Sequence, residues 1–187
     1  MQIKRIFLFL NFIVFLGFFT SCATTDYYVK PGVEFSRFRR VGVLPFTPPP
    51  EVQKDQGVGI SEGISDIVGT QLLKRGWDVI ERARIRSIFE ERNLALTHIP
   101  SGKNLEDMRN ILGVDAFVTG SVTEWRERIR KRNDGAVGIT IKIYDTRTGE
   151  LVWSGSGTRP IGGLDDKRLT LHAELIIRNL CEKIPSR

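Results

Sequence analysis

Arginine side chains dominate one short stretch of the sequence, and they are its strongest candidate for binding chemistry. Four of them alternate with other residues: Arg126, Arg128, Arg130 and Arg132. Alternate side chains of a strand lie on one face, so these four define a basic ribbon, with Trp125 beginning the opposite face. Aligned guanidinium groups can hold phosphates or carboxylates of lipid headgroups, a cell-wall polymer or an acidic protein partner. The alternative is an edge hairpin whose charges prevent pairing with other strands.

A glycine-containing stretch, Gly57-Val58-Gly59, precedes a helical pattern and forms the second candidate site. Backbone N–H groups at a helix N-terminus bind anions, so Gly57, Gly59 and Ser61 are a candidate anion site. The stretch lacks the Gly-Lys-Ser/Thr ending of a P-loop, and its glycines do not match the dinucleotide fingerprint. A plain flexible loop is the alternative.

Catalytic chemistry finds little support in the residue types. The two histidines, His98 and His172, lie in no recognisable motif, and the sequence contains no HExxH, GxSxG or paired-cysteine metal spacing. Cys181 falls on the apolar stripe of the last predicted helix, which predicts a buried, inert thiol. The sequence therefore predicts a protein that is not an enzyme and that uses no cofactor or metal. A small-ligand-binding or enzymatic domain is the remaining alternative.

The first 21 residues have the pattern of a secretory signal. Lys4 and Arg5 form a positive region, residues 6–19 are almost wholly apolar, and small residues precede Cys22. Cleavage before a cysteine resembles the lipobox of bacterial lipoproteins, although Phe19 stands where a leucine is usual. The resemblance implies that Cys22 becomes the N-terminal residue and carries acyl chains such as palmitate, which anchor the protein in a membrane. An uncleaved N-terminal anchor is the alternative.

Composition limits the other classes of function. The chain has 187 residues and a formal net charge of +6, of which Lys4 and Arg5 supply two. The remaining +4 favours anionic surfaces but does not indicate nucleic acid. Residues 23–40 show no lasting period, so 22–40 are predicted to be a lipidated tether spanning at most about 60 Å. The rest, 41–187, has enough length for one domain with a real core.

Strand and helix patterns alternate through that domain and must position the candidate residues. They predict strands at 41–46, 77–81, 113–125, 137–144 and from 151 onward, and helices at about 60–75, 83–92, 104–112 and 169–184. Glycines at 76 and 113 mark helix ends. The order β-α-β-α-α-β-β-β-α predicts an α/β fold, a three-layer-like mixed β-sheet flanked by helices.

Five segments in this order resemble the family of the curli secretion lipoprotein CsgG. They are residues 41–46, 63–66, 79–82 with Ile88, 113–122 and 145–154. The same fold is attributed to the penicillin-binding-protein activator LpoB and to the N-terminal domain of TolB. The resemblance covers about 41–184 and implies a binding domain of the bacterial envelope.

The sequence departs from the CsgG pattern at the membrane hairpins. CsgG-like pore formers insert two long hairpins, and each membrane strand needs about 9–11 residues. Here only residues 126–135 separate two strands, and arginine and lysine dominate them; a second short gap, 155–164, precedes the last helix. We therefore expect that this chain does not form a curli-type pore by itself.

The resemblance implies a lipid-anchored, periplasm-facing interaction protein that scaffolds or regulates a secretion or cell-wall-synthesis complex. Ala23 supports the outer membrane, because lipoprotein sorting often retains proteins with aspartate after the cysteine at the inner membrane. The expected partners are the membrane, through lipid on Cys22, and an envelope protein or cell-wall polymer. The alternative is a subunit of a homo-oligomeric ring lying on the membrane.

Overall fold

The structure, a computed structural model, describes residues 24–52, 54–80, 82–91, 103–127, 135–162 and 168–186. Several predicted features lie outside these ranges. They are the signal sequence, Cys22, His98, and three of the four arginines of the basic ribbon, Arg128, Arg130 and Arg132.

The residues that the structure describes form six strands and four helices. The strands are β1 (Thr24–Val29), β2 (Arg40–Val43), β3 (Asp78–Ile80), β4 (Ala116–Arg126), β5 (Gly135–Asp145) and β6 (Leu151–Ile161). The helices are α1 (Lys54–Lys74), α2 (Arg82–Glu91), α3 (Lys103–Leu112) and α4 (Leu169–Glu182), with a 3₁₀ turn at Phe35–Arg37. From β2 onward the order is the predicted one, and the α/β class with a mixed sheet is confirmed.

All six strands belong to one sheet, in the order β1-β6-β5-β4-β2-β3. Strands β4, β5, β6 and β1 pair antiparallel with their neighbours, whereas β2 pairs parallel with both β4 and β3. The connections through α1 and through α2–α3 allow the parallel pairing, because parallel strands need a crossover. The strands β4, β5 and β6 follow one another in sequence, and each pairs antiparallel with the next.

Helices cover the two faces of the sheet unequally. On one face, α1 and α4 pack against all the longer strands in a core cluster that includes Val41, Val118, Ile141, Trp153 and Ile176. On the other face, a smaller cluster lies over the end of the sheet formed by β2, β3 and β4; its members are Leu44, Ile85, Phe89, Leu105, Met108, Leu112, Val114 and Phe117, and Ile80 of β3 packs against it. The strands β2, β3 and β4, at the end with helices on both faces, are the closed end.

The strands β1 and β6 are the open end, because one of their faces is accessible to solvent. On this open face the side chains are exposed or half-exposed; they are Thr24, Asp26, Tyr28, Ser154, Ser156 and Thr158. The register aligns Tyr28 with Ser154 and Asp26 with Ser156. Antiparallel strands tolerate such one-sided solvation, and the polar composition fits it.

The two helix ends predicted at glycines are confirmed. Gly76 follows α1 with φ of 82°, and Gly113 follows α3 with φ of 64°. The Gly113 N–H donates to the Arg109 carbonyl (2.8 Å), which closes the last turn of α3. Left-handed backbone of this kind strains residues that have a Cβ, so glycine is the residue that ends these helices without strain.

The predicted tether is wrong from Thr24 onward, because this segment belongs to the domain. Residues Thr24–Val29 form β1 and pair with β6 along their whole length. After β1, Phe35 and Phe38 are buried in the larger cluster, with ring centroids 5.5 Å apart. The burial of two aromatic side chains and the strand pairing fix a stretch that shows no periodicity of its own.

Candidate functional site

Trp125 and Arg126 lie at the far end of β4, on opposite faces, as the alternation predicted. Trp125 is half-buried against the larger core cluster and is paired with Val137. Arg126 is exposed, and its Nη2 lies 3.2 Å from the Glu124 carboxylate. Arg126 is therefore the single member of the basic ribbon that the described residues include, and a neighbouring acid shares its charge.

The Trp125 side of this strand end opens into a groove of about 480 Å³. Its lining comes from α1, from the end of β4 and from the start of α4; the residues are Gln56, Gly59, Ile60, Gly63, Ile64, Ile67, Trp125, Glu127 and Thr170. Two separately predicted sites thus meet here, since Trp125 and Gly59 line one groove. No atom lies within 4 Å of the Cβ position of either Gly59 or Gly63, so the floor of the groove is open.

The predicted anion site does not have the expected geometry. Helix α1 begins at Lys54, so Gly57, Gly59 and Ser61 lie inside the helix and not in a loop before it. Ser61 is buried, and its hydroxyl donates to the Phe46 carbonyl. Gly57 packs on Pro48, whose Cβ would lie 3.0 Å from an added Cβ. These two contacts support the helical form of the glycine-rich turns. Because the helix starts before all three residues, they do not form a helix N-terminus.

The β1 edge is a surface that the sequence analysis missed. Tyr27 and Tyr28 are 49% and 50% exposed, and they belong to the few large apolar side chains of the described residues that solvent reaches. The run Thr24-Thr25-Asp26-Tyr27-Tyr28-Val29 is rich in β-branched and aromatic residues, a composition typical of strands. That composition favours a strand, but the lack of a lasting period over 23–40 predicted a tether.

Ion pairs hold the segment after β1 against the domain. Arg37 pairs with Asp145, which is almost fully buried, and the Arg37 guanidinium also lies 4.9 Å from the centre of the Phe38 ring. At the end of β1, Lys30 Nζ lies 2.6 Å from the Glu150 carboxylate. The hydrogen bond from Lys30, followed by its charge, lowers the pKa of Glu150. The segment is thus fastened at both ends.

Two titratable side chains of helix α4, His172 and Cys181, are built into the core. Cys181 is buried, and this burial raises the pKa of its thiol to about 12, so the thiol is neutral and unreactive. His172 is also buried, and its Nδ1 accepts a hydrogen bond from Arg159 Nε at 3.0 Å. The prediction of a buried, inert Cys181 is confirmed.

The described part of the chain is also informative about metal binding and membrane crossing. Among its residues, no group of three or more His, Cys, Asp or Glu side chains is arranged to hold a metal ion. None of its helices combines the length and the hydropathy needed to cross a membrane.

A family model described as the curli production assembly/transport component CsgG matches residues 39–161. The match spans β2 to β6, about two thirds of the chain. The chain belongs to the CsgG family. The resemblance predicted from five sequence segments is thereby confirmed. No curated protein matches the chain.

Solved structures with the same fold include PelC and the lipoprotein GNA1162. A PelC dodecamer from Paraburkholderia phytofirmans has a TM-score of 0.60 at 22% identity, covering 89% of this chain and 100% of the PelC chain. The lipoprotein GNA1162 from Neisseria meningitidis has a TM-score of 0.55 at 19% identity, covering 78% of this chain and 99% of GNA1162. At these identities the likeness shows the fold alone.

The C-terminal domain of LpoB from Salmonella enterica is more distant from this CsgG-family chain. It has a TM-score of 0.40 at 11% identity, covering 68% of this chain and 85% of that domain. A likeness of this strength carries no argument about function.

Proposed function

We propose that this protein is a lipid-anchored, periplasm-facing subunit of an envelope assembly complex that acts by binding and not by catalysis. The observation that carries the proposal is the position of β1, which begins at Thr24, two residues after Cys22. The family description, a component of curli production assembly and transport, supports a role in an assembly complex. The lipoprotein GNA1162, which shares the fold, supports acylation of Cys22.

The short connection determines where such a subunit works. Two residues span at most about 7 Å, so the acyl chains on Cys22 would hold the edge of the sheet at the bilayer surface. A protein that activates a synthase across the cell wall needs a long flexible tether, and here the segment that could serve as one is β1. This geometry favours a complex assembled at the membrane surface, of the secretion type.

The domain offers two surfaces for partners at that position. One is the groove at Trp125, with its open floor at Gly59 and Gly63. The other is the end of β4, which carries Arg126, the one member of the basic ribbon among the described residues. Ala23 after the cysteine supports an outer-membrane location, with the domain in the periplasm.

The test uses acylation and crosslinking together in intact cells. Labelled palmitate should enter the wild-type chain and the Cys181→Ala variant, whose substitution lies in the core, but not Cys22→Ser. Crosslinking should give adducts with envelope proteins from the acylated chains, and far fewer from Cys22→Ser. An unacylated wild-type chain, or an acylated chain that forms no adducts, would contradict the proposal.

A flexible Gly/Ser insert between Ala23 and Thr24 tests the claim that the domain must lie directly on the membrane. The insert should leave palmitate labelling unchanged and should reduce crosslinking to partners held at the bilayer surface. Unchanged adducts would show that close apposition is not required.

A subunit of a homo-oligomeric ring is the second candidate, and the PelC dodecamer of the same fold favours it. Sedimentation of the acylated protein in detergent measures the mass directly. A ring predicts a multiple of the monomer mass that persists on dilution, whereas a monomer at high concentration would exclude the ring.

A further inference from the structure

The free edge of β1 is partly blocked against pairing with another strand. Lys30 N–H donates to the Val152 carbonyl (2.9 Å), so the even-numbered residues of β1 direct their N–H groups toward β6. The odd-numbered residues therefore direct theirs outward. The outward N–H of Tyr27 is taken by the Asp26 carboxylate at 2.8 Å. A charged side chain on an edge strand opposes edge-to-edge pairing, so this edge does not suit the addition of a strand from another chain.

Two aromatic rings flank this blocked edge. Tyr27 and Tyr28 are adjacent, so their side chains lie on opposite faces of the sheet, and each is about half exposed. Tyr27 pairs with Gly155, which has no side chain to cover it. A tyrosine combines an apolar ring with a hydroxyl group, and such residues concentrate at the boundary between water and lipid.

We propose that β1 lies along the membrane surface, with Tyr27 and Tyr28 in the headgroup layer of the lipids that hold the acyl chains of Cys22. The inference rests on the proposed function, because it assumes that Cys22 is acylated. Only Ala23 lies between that anchor and Thr24, so the start of the strand is within about 7 Å of Cys22. The charged side chains of Asp26 and Lys30 place the strand in the polar headgroups and not in the hydrocarbon, where charges are costly.

The orientation follows from the two faces that the rings occupy. If the sheet stood on its β1 edge, both rings would reach the headgroups; if it lay flat, one ring would face the lipid and the other would face away. If β1 stood upright, Tyr28 would lie about 13 Å farther from the anchor than Thr24, at about 3.3 Å per residue. Standing on the β1 edge would hold β4, three strands away, about 14 Å above the lipid.

Depth measurements with spin labels test this orientation on the full acylated chain. Cysteine is introduced singly by Thr24→Cys, Tyr27→Cys and Tyr28→Cys, with Val58→Cys and Leu73→Cys as matched exposed controls. Acylation blocks Cys22, and burial protects Cys181, so labelling is selective. The proteins are placed in vesicles of phosphatidylethanolamine and phosphatidylglycerol. The relaxation of each spin label by oxygen is then compared with its relaxation by a water-soluble nickel chelate.

The expected result is a common headgroup depth for the labels at 24, 27 and 28, with the controls fully accessible to the nickel chelate. Labels at 27 and 28 that match the controls would overturn the inference. So would a depth that changes steadily from 24 to 28, or a lipid contact at only one of the two tyrosine positions. Labels shielded from both reagents and broadened by a second label would show contact between copies, and would also overturn it.

Two further measurements separate the possible failures. The intact mass of each sample reports acylation, so a sample without acyl groups fails the proposed function and the inference together. An acylated sample with labels in water fails the inference alone. If a cysteine variant does not fold, Tyr27→Trp and Tyr28→Trp keep an aromatic ring, and quenching by brominated lipids, after subtraction of the parent protein, reads the same depth.

Discussion

The closed end and the open end of the sheet differ in what covers them, and the difference separates stability from function. At the closed end, helices pack on both faces, and Phe117 lies in the smaller cluster over Gly42. At the open end, α4 covers one face, and the other face presents hydroxyl groups and Tyr28 to solvent. The closed end therefore has buried side chains on both faces of its sheet, whereas the open end has one exposed face and is the part of the sheet nearest to Cys22 in sequence.

The largest expected effect is a loss of stability when a buried side chain of the closed end is truncated. Phe117→Ala should lower the free energy of unfolding by about 3–5 kcal/mol, because it removes a fully buried ring and leaves a cavity. The matched change at the open end, Tyr28→Ala, should cost less than about 1 kcal/mol. Urea titrations of the detergent-solubilised chain measure both. Equal losses at the two ends would contradict the comparison.

The second prediction concerns the ion pair that fastens the segment after β1. Asp145→Asn removes the carboxylate charge that Arg37 meets at a nearly fully buried site, and should cost about 1.5–3 kcal/mol. Arg37→Gln should cost at least as much, because it leaves the nearly fully buried Asp145 carboxylate without its charged partner. The same urea titration measures the free energy of unfolding of both variants. Proteolysis between β1 and β2 reports on the segment locally. A loss below 0.5 kcal/mol, roughly the level of a surface change, would show that the pair does not hold the segment.

Much of the closed end was predictable from the sequence, because β2 and β4 carry apolar residues on both faces and the helices α1 and α3 end at glycines. The order of elements from β2 onward and the helix stops at Gly76 and Gly113 were found in this way. The open end was harder to predict from the sequence. Strand β1 is exposed along most of its length, so it shows no hydrophobic alternation, and only its pairing with β6 shows that it is part of the sheet.

The candidate site was predicted in parts and not as a whole. Sequence spacing placed Trp125 and Arg126 on opposite faces of a strand, but it could not bring Trp125 beside Gly59, because that contact depends on the packing of α1 against the sheet. The start of α1 was missed for a similar reason. Contacts of Gly57 with Pro48 and of Ser61 with Phe46 outweigh the low helix propensity of glycine.

The third prediction uses the glycines of α1 to compare the groove with the buried side of the same helix. Gly63→Ala should stabilise the fold by about 0.5–1 kcal/mol, because alanine favours a helix and no atom lies within 4 Å of the new Cβ. Gly57→Ala should gain less or lose stability, because Pro48 would lie 3.0 Å from its Cβ. Thermal unfolding of the two variants measures the sign. A destabilised Gly63→Ala would show that the groove floor is not open.

The smallest expected effect comes from the exposed pair Lys30–Glu150 at the end of β1. The pKa of Glu150 is lower in the folded state than its ordinary value of 4.5, so the pair stabilises the fold above that pH. The contribution is lost as the pH falls through the folded-state value. The difference in Tm between wild type and Lys30→Gln should therefore be largest near neutral pH and should shrink below about pH 4.5. High salt should also reduce it. A difference that does not change with pH would contradict the assignment.

Amide hydrogen exchange in β1 of the full chain tests most directly whether the domain begins beside Cys22, the proposed lipid anchor. The structure predicts slow exchange at Asp26, Tyr28 and Lys30, whose N–H groups point toward β6, and fast exchange at Thr25 and Val29, which point outward. An alternating pattern would place a paired strand two residues after Cys22. Uniformly fast exchange from Thr24 to Lys30 would mean a flexible tether, and would remove the basis for a subunit held on the membrane surface.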